Sequence, residues 1–155
     1  VIITNWSRQH EFTFTSEFQE VIYIFLLKFN NGKKLKVDFG YYPYKHIEKL
    51  NEFNGIKTDS LKDIAVNKLL TVTQRNTVKD FVDLYFLLQQ FTVWYLIYGL
   101  EKKFKIRIEP FILASEFLKV EDFTFLPRMI NSLTLGELQS FYRKKAQELG
   151  KKSLK

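Results

Sequence analysis

Hydrophobic and polar positions alternate up to about residue 40 with the period of two that a strand requires. From residue 58 they recur with the 3.6 period of a helix. Val21-Ile22-Tyr23-Ile24-Phe25-Leu26-Leu27 runs into Asn30-Asn31-Gly32, and Lys33 to Phe39 returns. Asn-Gly tolerates positive φ at both turn residues, so the spacing predicts a β-hairpin over 20–40. On its second strand Leu35, Val37 and Phe39 share one face, and Lys34, Lys36 and Asp38 share the other. Phe12 and Phe14, alternating with Thr13 and Thr15, predict one further strand ahead of the hairpin. Gly40 to Asn54, which contains Pro43, reads as a connection with a short helical turn.

The helical part opens with Ser60 as N-cap and Asp63 three residues later, the pattern of a capping box. Leu61, Ile64, Ala65, Leu69 and Val72 then form an apolar stripe. Thr77 and Asp80 repeat the cap pattern ahead of Phe81, Leu84, Tyr85 and Leu88. Further helices are predicted over 92–104, 109–119 and 134–149, with Pro110 in a first turn and Pro127 in a loop. Strands first and helices afterwards indicate an α+β fold rather than a doubly wound sheet. The expected division is 1–57 for the sheet and 58–155 for helices packed on it, as one compact unit.

Composition narrows the chemistry. The chain has 155 residues, 46% of them hydrophobic and 17% aromatic, enough for a single core built largely on rings. It contains no Cys, which excludes disulfides, thiolate nucleophiles and Cys-based zinc sites and suits the cytoplasm. With only His10 and His46, a His-rich metal site or a His-based triad is disfavoured. No window is apolar enough to span a membrane; Phe91 to Leu100, followed by Glu101-Lys102-Lys103, reads as a core helix. The net charge is +7, and residues 141–155 hold Arg143, Lys144, Lys145, Lys151, Lys152 and Lys155 against Glu148 alone. Such a tail either attracts phosphate backbones or is a solvated helix terminus that favours the helix dipole.

Three features stand out as candidate chemistry. Lys68 lies within the apolar stripe, and Arg75, seven residues on, sits about 20° round the helix from it. Either both side chains snorkel from the edge of the stripe, or they form a site that receives an anion. Asp80 and Asp83, three residues apart, share a face that the tight turn between the helices can bring towards Lys68 and Arg75. Asp80 also reads as a cap and dipole partner, and Asp83 as one half of a structural ion pair with Arg75. Asp38 on its strand is either a solvated edge carboxylate or a rigidly held metal ligand.

Taken together these segments resemble a known family. Asp63-Ile64-Ala65-Val66-Asn67-Lys68-Leu69-Leu70, then Gln74-Arg75-Asn76-Thr77, then Lys79-Asp80-Phe81-Val82-Asp83-Leu84 is similar to the paired helical motifs of the AbiEii/AbiGii toxins. These are nucleotidyltransferase-like proteins of abortive-infection and type IV toxin–antitoxin systems. Thr71 stands where a small Ala is more usual. Leu35-Lys36-Val37-Asp38-Phe39 resembles the family's strand carrying a third carboxylate, and Phe117 to Met129 its C-terminal helical region. The resemblance covers about residues 20–150.

What the resemblance implies is transfer of a nucleotidyl group from a nucleoside triphosphate, with Mg²⁺, to an acceptor hydroxyl on RNA such as tRNA or on a protein. Lys68, Asp80 and Asp38 would then be catalytic, Lys68, Arg75 and Asp83 would bind substrate, and Asp38 would be the metal ligand or the base. The family's N-terminal Gly-Gly or Gly-Ser turn and Asp-x-Asp strand have no counterpart: there is no Gly before Gly32 and no Asp before Asp38. The chain also opens without Met, so an upstream segment is expected, and this chain by itself is expected to be inactive. The alternatives are a non-catalytic module that binds an antitoxin or a second copy, and a basic RNA-binding domain.

Overall fold

The computed structural model describes residues 2–153, and the side chains of residues 2–151. It is α+β, with a three-stranded antiparallel sheet followed by helices. The chain divides into two compact units, Val1–Pro43 and Tyr44–Lys155.

The first unit opens with α1 (Ile2–Gln9), which the sequence reading did not foresee, and continues into β1 (Phe12–Gln19), β2 (Ile22–Phe29) and β3 (Lys34–Gly40). The register pairs Phe12 with Phe29, Phe14 with Leu27 and Phe25 with Val37. Phe and Tyr rings therefore gather on one face, with Phe18 and Tyr23 at 4.4 Å and Phe25 and Phe39 at 5.7 Å between centroids. Among the described residues of this unit, only Phe12 and Leu27 are buried hydrophobics. The hairpin forms where expected, but its turn differs. Phe29 N–H donates to Lys33 O, enclosing Asn30, Asn31 and Gly32, and of these only Gly32 takes positive φ. Asn31 instead uses its side-chain oxygen to accept from Lys33 N–H at 3.0 Å.

The second unit begins with an irregular segment and a small hairpin, β4 (Asn51–Phe53) and β5 (Ile56–Thr58), where the sequence reading had a connection. Asn54 and Gly55 both take positive φ, the two-residue geometry that Asn-Gly favours. Five helices follow: α2 (Leu61–Gln74), α3 (Val78–Leu87), α4 (Val93–Phe104), α5 (Pro110–Leu118) and α6 (Leu135–Ser153), with a 3₁₀ turn at Lys119–Asp122. The Asp63 carboxylate accepts from the backbone N–H groups of Ile47 and Glu48 and so ties the segment before the hairpin to α2.

The core sits wholly in this unit. Ala65, Val66, Leu69 and Val72 of α2 pack with Phe81 and Leu84 of α3, Leu96 and Leu100 of α4, Phe117 of α5 and Tyr142 of α6. The predicted α2 stripe is rotated: Val66 is fully buried, whereas Leu61 and Ile64 are exposed. Val66 can go inward because it faces Gly99 of α4, where a Cβ would overlap its Cγ2. Tyr142 donates its hydroxyl proton to Phe81 O at 2.8 Å, and its ring meets those of Phe81 and Phe117. Among the described residues, no helix is long and apolar enough to cross a membrane.

Candidate functional site

α2 ends where Arg75 turns extended, and α3 begins two residues after Asn76, so the two helices meet at a tight corner. This corner carries the candidate site. Lys68 projects from α2 two turns before the corner, and Asp80 and Asp83 project from the first turns of α3. Lys68 Nζ donates to Asp80 Oδ1 at 2.9 Å and also pairs with Asp83 Oδ2. Arg75 Nε donates to the other oxygen of Asp80 at 2.8 Å. The helix turn thus brings together Lys68, Arg75, Asp80 and Asp83, four of the five candidate residues read from the sequence.

Their environments separate their roles. The Asp80 side chain is 2% exposed, that of Lys68 27%, and those of Asp83 and Arg75 50% and 63%. Asp80 is therefore the buried anchor, and Asp83 and Arg75 lie towards water. Burial alone would raise the Asp80 pKa, but Arg75 and Lys68 outweigh it and hold the carboxyl below its ordinary value. Burial likewise disfavours the Lys68 ammonium, yet Asp83 and Asp80 overcome it and the pKa is raised. Lys68 is accordingly a fixed cation, held by the buried Asp80 on one side and by the half-exposed Asp83 on the other.

Two details correct the sequence reading. Asp80 was expected to complete a capping box with Thr77, but the Thr77 side chain makes no cap bond, and Asp80 turns inward to the two cations instead. Two charged donors offer the carboxylate more than one helix-terminal N–H can. Arg75 was expected to pair with Asp83; it bonds Asp80, and Asp83 pairs with Lys68. Asp38 lies on β3 in the first unit, about half exposed, with its carboxylate 3.0 Å from Lys36 Nζ. Of the basic tail, Lys155 and the side chain of Lys152 fall outside the described residues.

A second charged cluster escaped the sequence reading. Asp63 and Lys103 are both fully buried, and Lys103 Nζ donates to Asp63 Oδ1 at 2.6 Å. Asp63 further accepts from Ser60 Oγ and from the N–H groups of Ile47 and Glu48. Burial opposes its ionisation, but these donors prevail and hold its pKa down at about 2. A signal was present: Lys103 falls three residues after Leu100 and seven after Leu96, on the buried line of α4.

An open groove of about 430 Å³ adjoins Asp83. It lies between α3 and the loop after the 3₁₀ turn, with Lys79, Val82 and Phe86 on one side and Pro127 to Asn131 on the other.

A family model described as "Nucleotidyl transferase AbiEii toxin, Type IV TA system" matches residues 7–148. The chain belongs to this family. The match takes in β1 to β3, the Lys68–Asp80 corner and most of α6. No curated protein and no solved structure matches the chain.

Proposed function

We propose that this AbiEii-family chain contributes the nucleotide-handling corner of a nucleotidyltransferase toxin. In the reaction an acceptor hydroxyl oxygen attacks the α-phosphorus of a nucleoside triphosphate. The new P–O bond forms as the bond to the β-phosphate oxygen breaks, pyrophosphate departs, and the hydroxyl proton passes to a base or to water. What supports the reading is Lys68: an ammonium that the buried Asp80 holds at 2.9 Å while the side chain still reaches the surface. Asp80 keeps that ammonium in place while a phosphate oxygen displaces Asp83 from it.

In this reading Asp80 positions Lys68 and Arg75. The Arg75 guanidinium, with one N–H committed to Asp80, keeps others for phosphate oxygen. Asp83 holds Lys68 until phosphate takes its place. The resemblance alone would make Asp38 a metal ligand or base, and its surroundings do not add to that reading. Mg²⁺ finds no cluster of three candidate ligands among the described residues. Asp38, beside Lys36, supplies too few hard oxygens for an octahedral ion. The parts given to Lys68, Arg75, Asp80 and Asp83 are charge and hydrogen-bond steps of the chain's own groups. Use of a nucleoside triphosphate would suit a cytoplasmic location, and membership of a toxin–antitoxin family supports an antitoxin partner.

The test is the melting temperature with each of the four nucleoside triphosphates, with and without Mg²⁺. At least one is expected to raise it for the wild type and not for Lys68→Ala. An equal rise in Lys68→Ala, or no rise with any nucleotide, would overturn the reading.

A further inference from the structure

α5 carries apolar residues nearly all round, yet the core covers only part of it. Leu113, Ala114 and Phe117 turn inward, whereas Phe111, Ile112 and Leu118 are exposed, Phe111 by 66%. A helix that is apolar on every side is ordinarily covered on every side. Along the uncovered residues runs an open cleft of about 410 Å³, set between α5 and α6. Phe111, Ala114 and Leu118 line it from α5, and Arg143, Ala146 and Gly150 from α6. Both sets follow the spacing i, i+3, i+7, so each wall is a stripe about two turns long.

Two further observations bear on what the cleft receives. Nothing inside the chain requires a glycine at position 150: a Cβ there would meet no atom within 4 Å, and φ is not positive. A helical glycine costs stability relative to alanine, and what this one leaves is open space on the cleft. The second is charge. Lys144 and Lys151 stand about 80–100° round α6 from Arg143, on the side away from the buried Tyr142 and Leu149. Both are exposed, and neither pairs with a carboxylate among the described residues, whereas Arg143 and Lys145 meet Glu121 and Glu148. No acidic side chain among the described residues lines the cleft. The basic end of the chain, which the nucleotide reading leaves unused, is therefore the rim of an apolar cleft.

We propose that the α5–α6 cleft is a docking site for an amphipathic helix of a partner protein, apolar on its docked face and acidic along the edge that meets Lys144 and Lys151. Charge complementarity selects this occupant. A second copy of the chain, docked by a two-fold contact, would set the lysine rim against its own equivalent. A single RNA strand is held by a row of rings, and the cleft offers Phe111 alone among the described residues. The proposal needs nothing from the nucleotide corner.

Binding is read by fluorescence anisotropy with two labelled synthetic peptides of about eighteen residues, each with Leu at i, i+3, i+4 and i+7. The other positions are mostly Glu in one peptide and mostly Lys in the other. The acidic peptide is expected to bind the full chain with a Kd of about 10–100 µM, and the basic peptide about tenfold more weakly or less. Gly150→Leu starts its side chain in open space and fills the cleft, so it keeps the wild-type melting temperature while affinity falls about tenfold. Lys144→Glu combined with Lys151→Glu lowers affinity for the acidic peptide and removes most of its salt dependence. No binding of the acidic peptide, equal affinity for both peptides, or wild-type affinity in Gly150→Leu would each overturn the proposal. Should Gly150→Leu fail to fold, Phe111→Ser at its exposed position takes its place, with the same two outcomes. A labelled single-stranded RNA that binds the wild type and not the cleft variant would give the cleft to nucleic acid. A dimer in sedimentation that the cleft variant dissociates would give it to a second copy. Either result overturns the partner helix.

Discussion

At Lys68 and Asp80 the same residues serve both stability and chemistry, and the two can be separated by substitution. Asp80→Asn keeps the shape but leaves Lys68 and Arg75 facing a neutral amide, with a cost of about 3 kcal/mol expected for breaking a buried pair. Lys68→Ala leaves Asp80 still bonded to Arg75, so urea unfolding should show a smaller loss, while the nucleotide response disappears. Asp63 predicts a pH dependence. Its carboxyl titrates at about 2 in the folded chain against 3.8 for the free group. The stability it contributes is therefore complete above 3.8 and is lost as pH falls through the interval down to about 2, by about 2 kcal/mol in total. Asp80, also lowered, adds loss in the same direction. Urea unfolding of the wild type at about pH 5 and about pH 2.5 should show this fall, and Asp63→Asn, already weakened, should show less of it.

At the scale of elements, local pattern carried well and contact with distant chain did not. The hairpin at Asn31-Gly32 and the cap at Ser60 were legible because turn and cap chemistry are set by a few adjacent residues. The second Asn-Gly, at Asn54-Gly55, carried the same signal; it was missed because only three residues on either side form strand. The rotation of α2 was not legible, since Val66 turns inward only because Gly99, thirty-three positions away, leaves room for it. Asp80 was read both as a cap and as a neighbour of Lys68 and Arg75, because a capping box and a charged cluster leave the same trace in sequence; it bonds the two cations. The groove was invisible: its two walls are some fifty residues apart along the chain. Gly99→Ala should therefore destabilise the chain by about 1–3 kcal/mol through overpacking. Adding Val66→Ala should recover part of that loss in thermal unfolding, which a helix-propensity effect at Gly99 alone would not do.

Over the whole molecule, burial is unequal. The Tyr44–Lys155 unit holds nearly all the buried side chains, whereas the three-stranded sheet leaves Phe18, Tyr23, Leu35 and Phe39 about half exposed. Local stability follows local burial. Amides of β1, β2 and β3 should therefore exchange with deuterium well before those of α2 and α4 in a time course followed by mass spectrometry. Equal protection in the two units would contradict this. The fold class, strands first and helices afterwards, could be read from sequence because it depends on period, whereas α1 and the short β4–β5 hairpin could not.

The Asp63 carboxylate also constrains how the chain can diverge. Asp63 and Lys103 neutralise one another with both side chains fully buried. A replacement of either alone strands a charge in the interior at a cost of about 3–5 kcal/mol, comparable with the entire margin by which a small domain stays folded. Replacing both with apolar groups removes that penalty but leaves the amides of Ile47 and Glu48 without an acceptor. Descendants of this sequence thus face a valley on every short route away from Asp63 and Lys103, and the two positions should vary together or not at all.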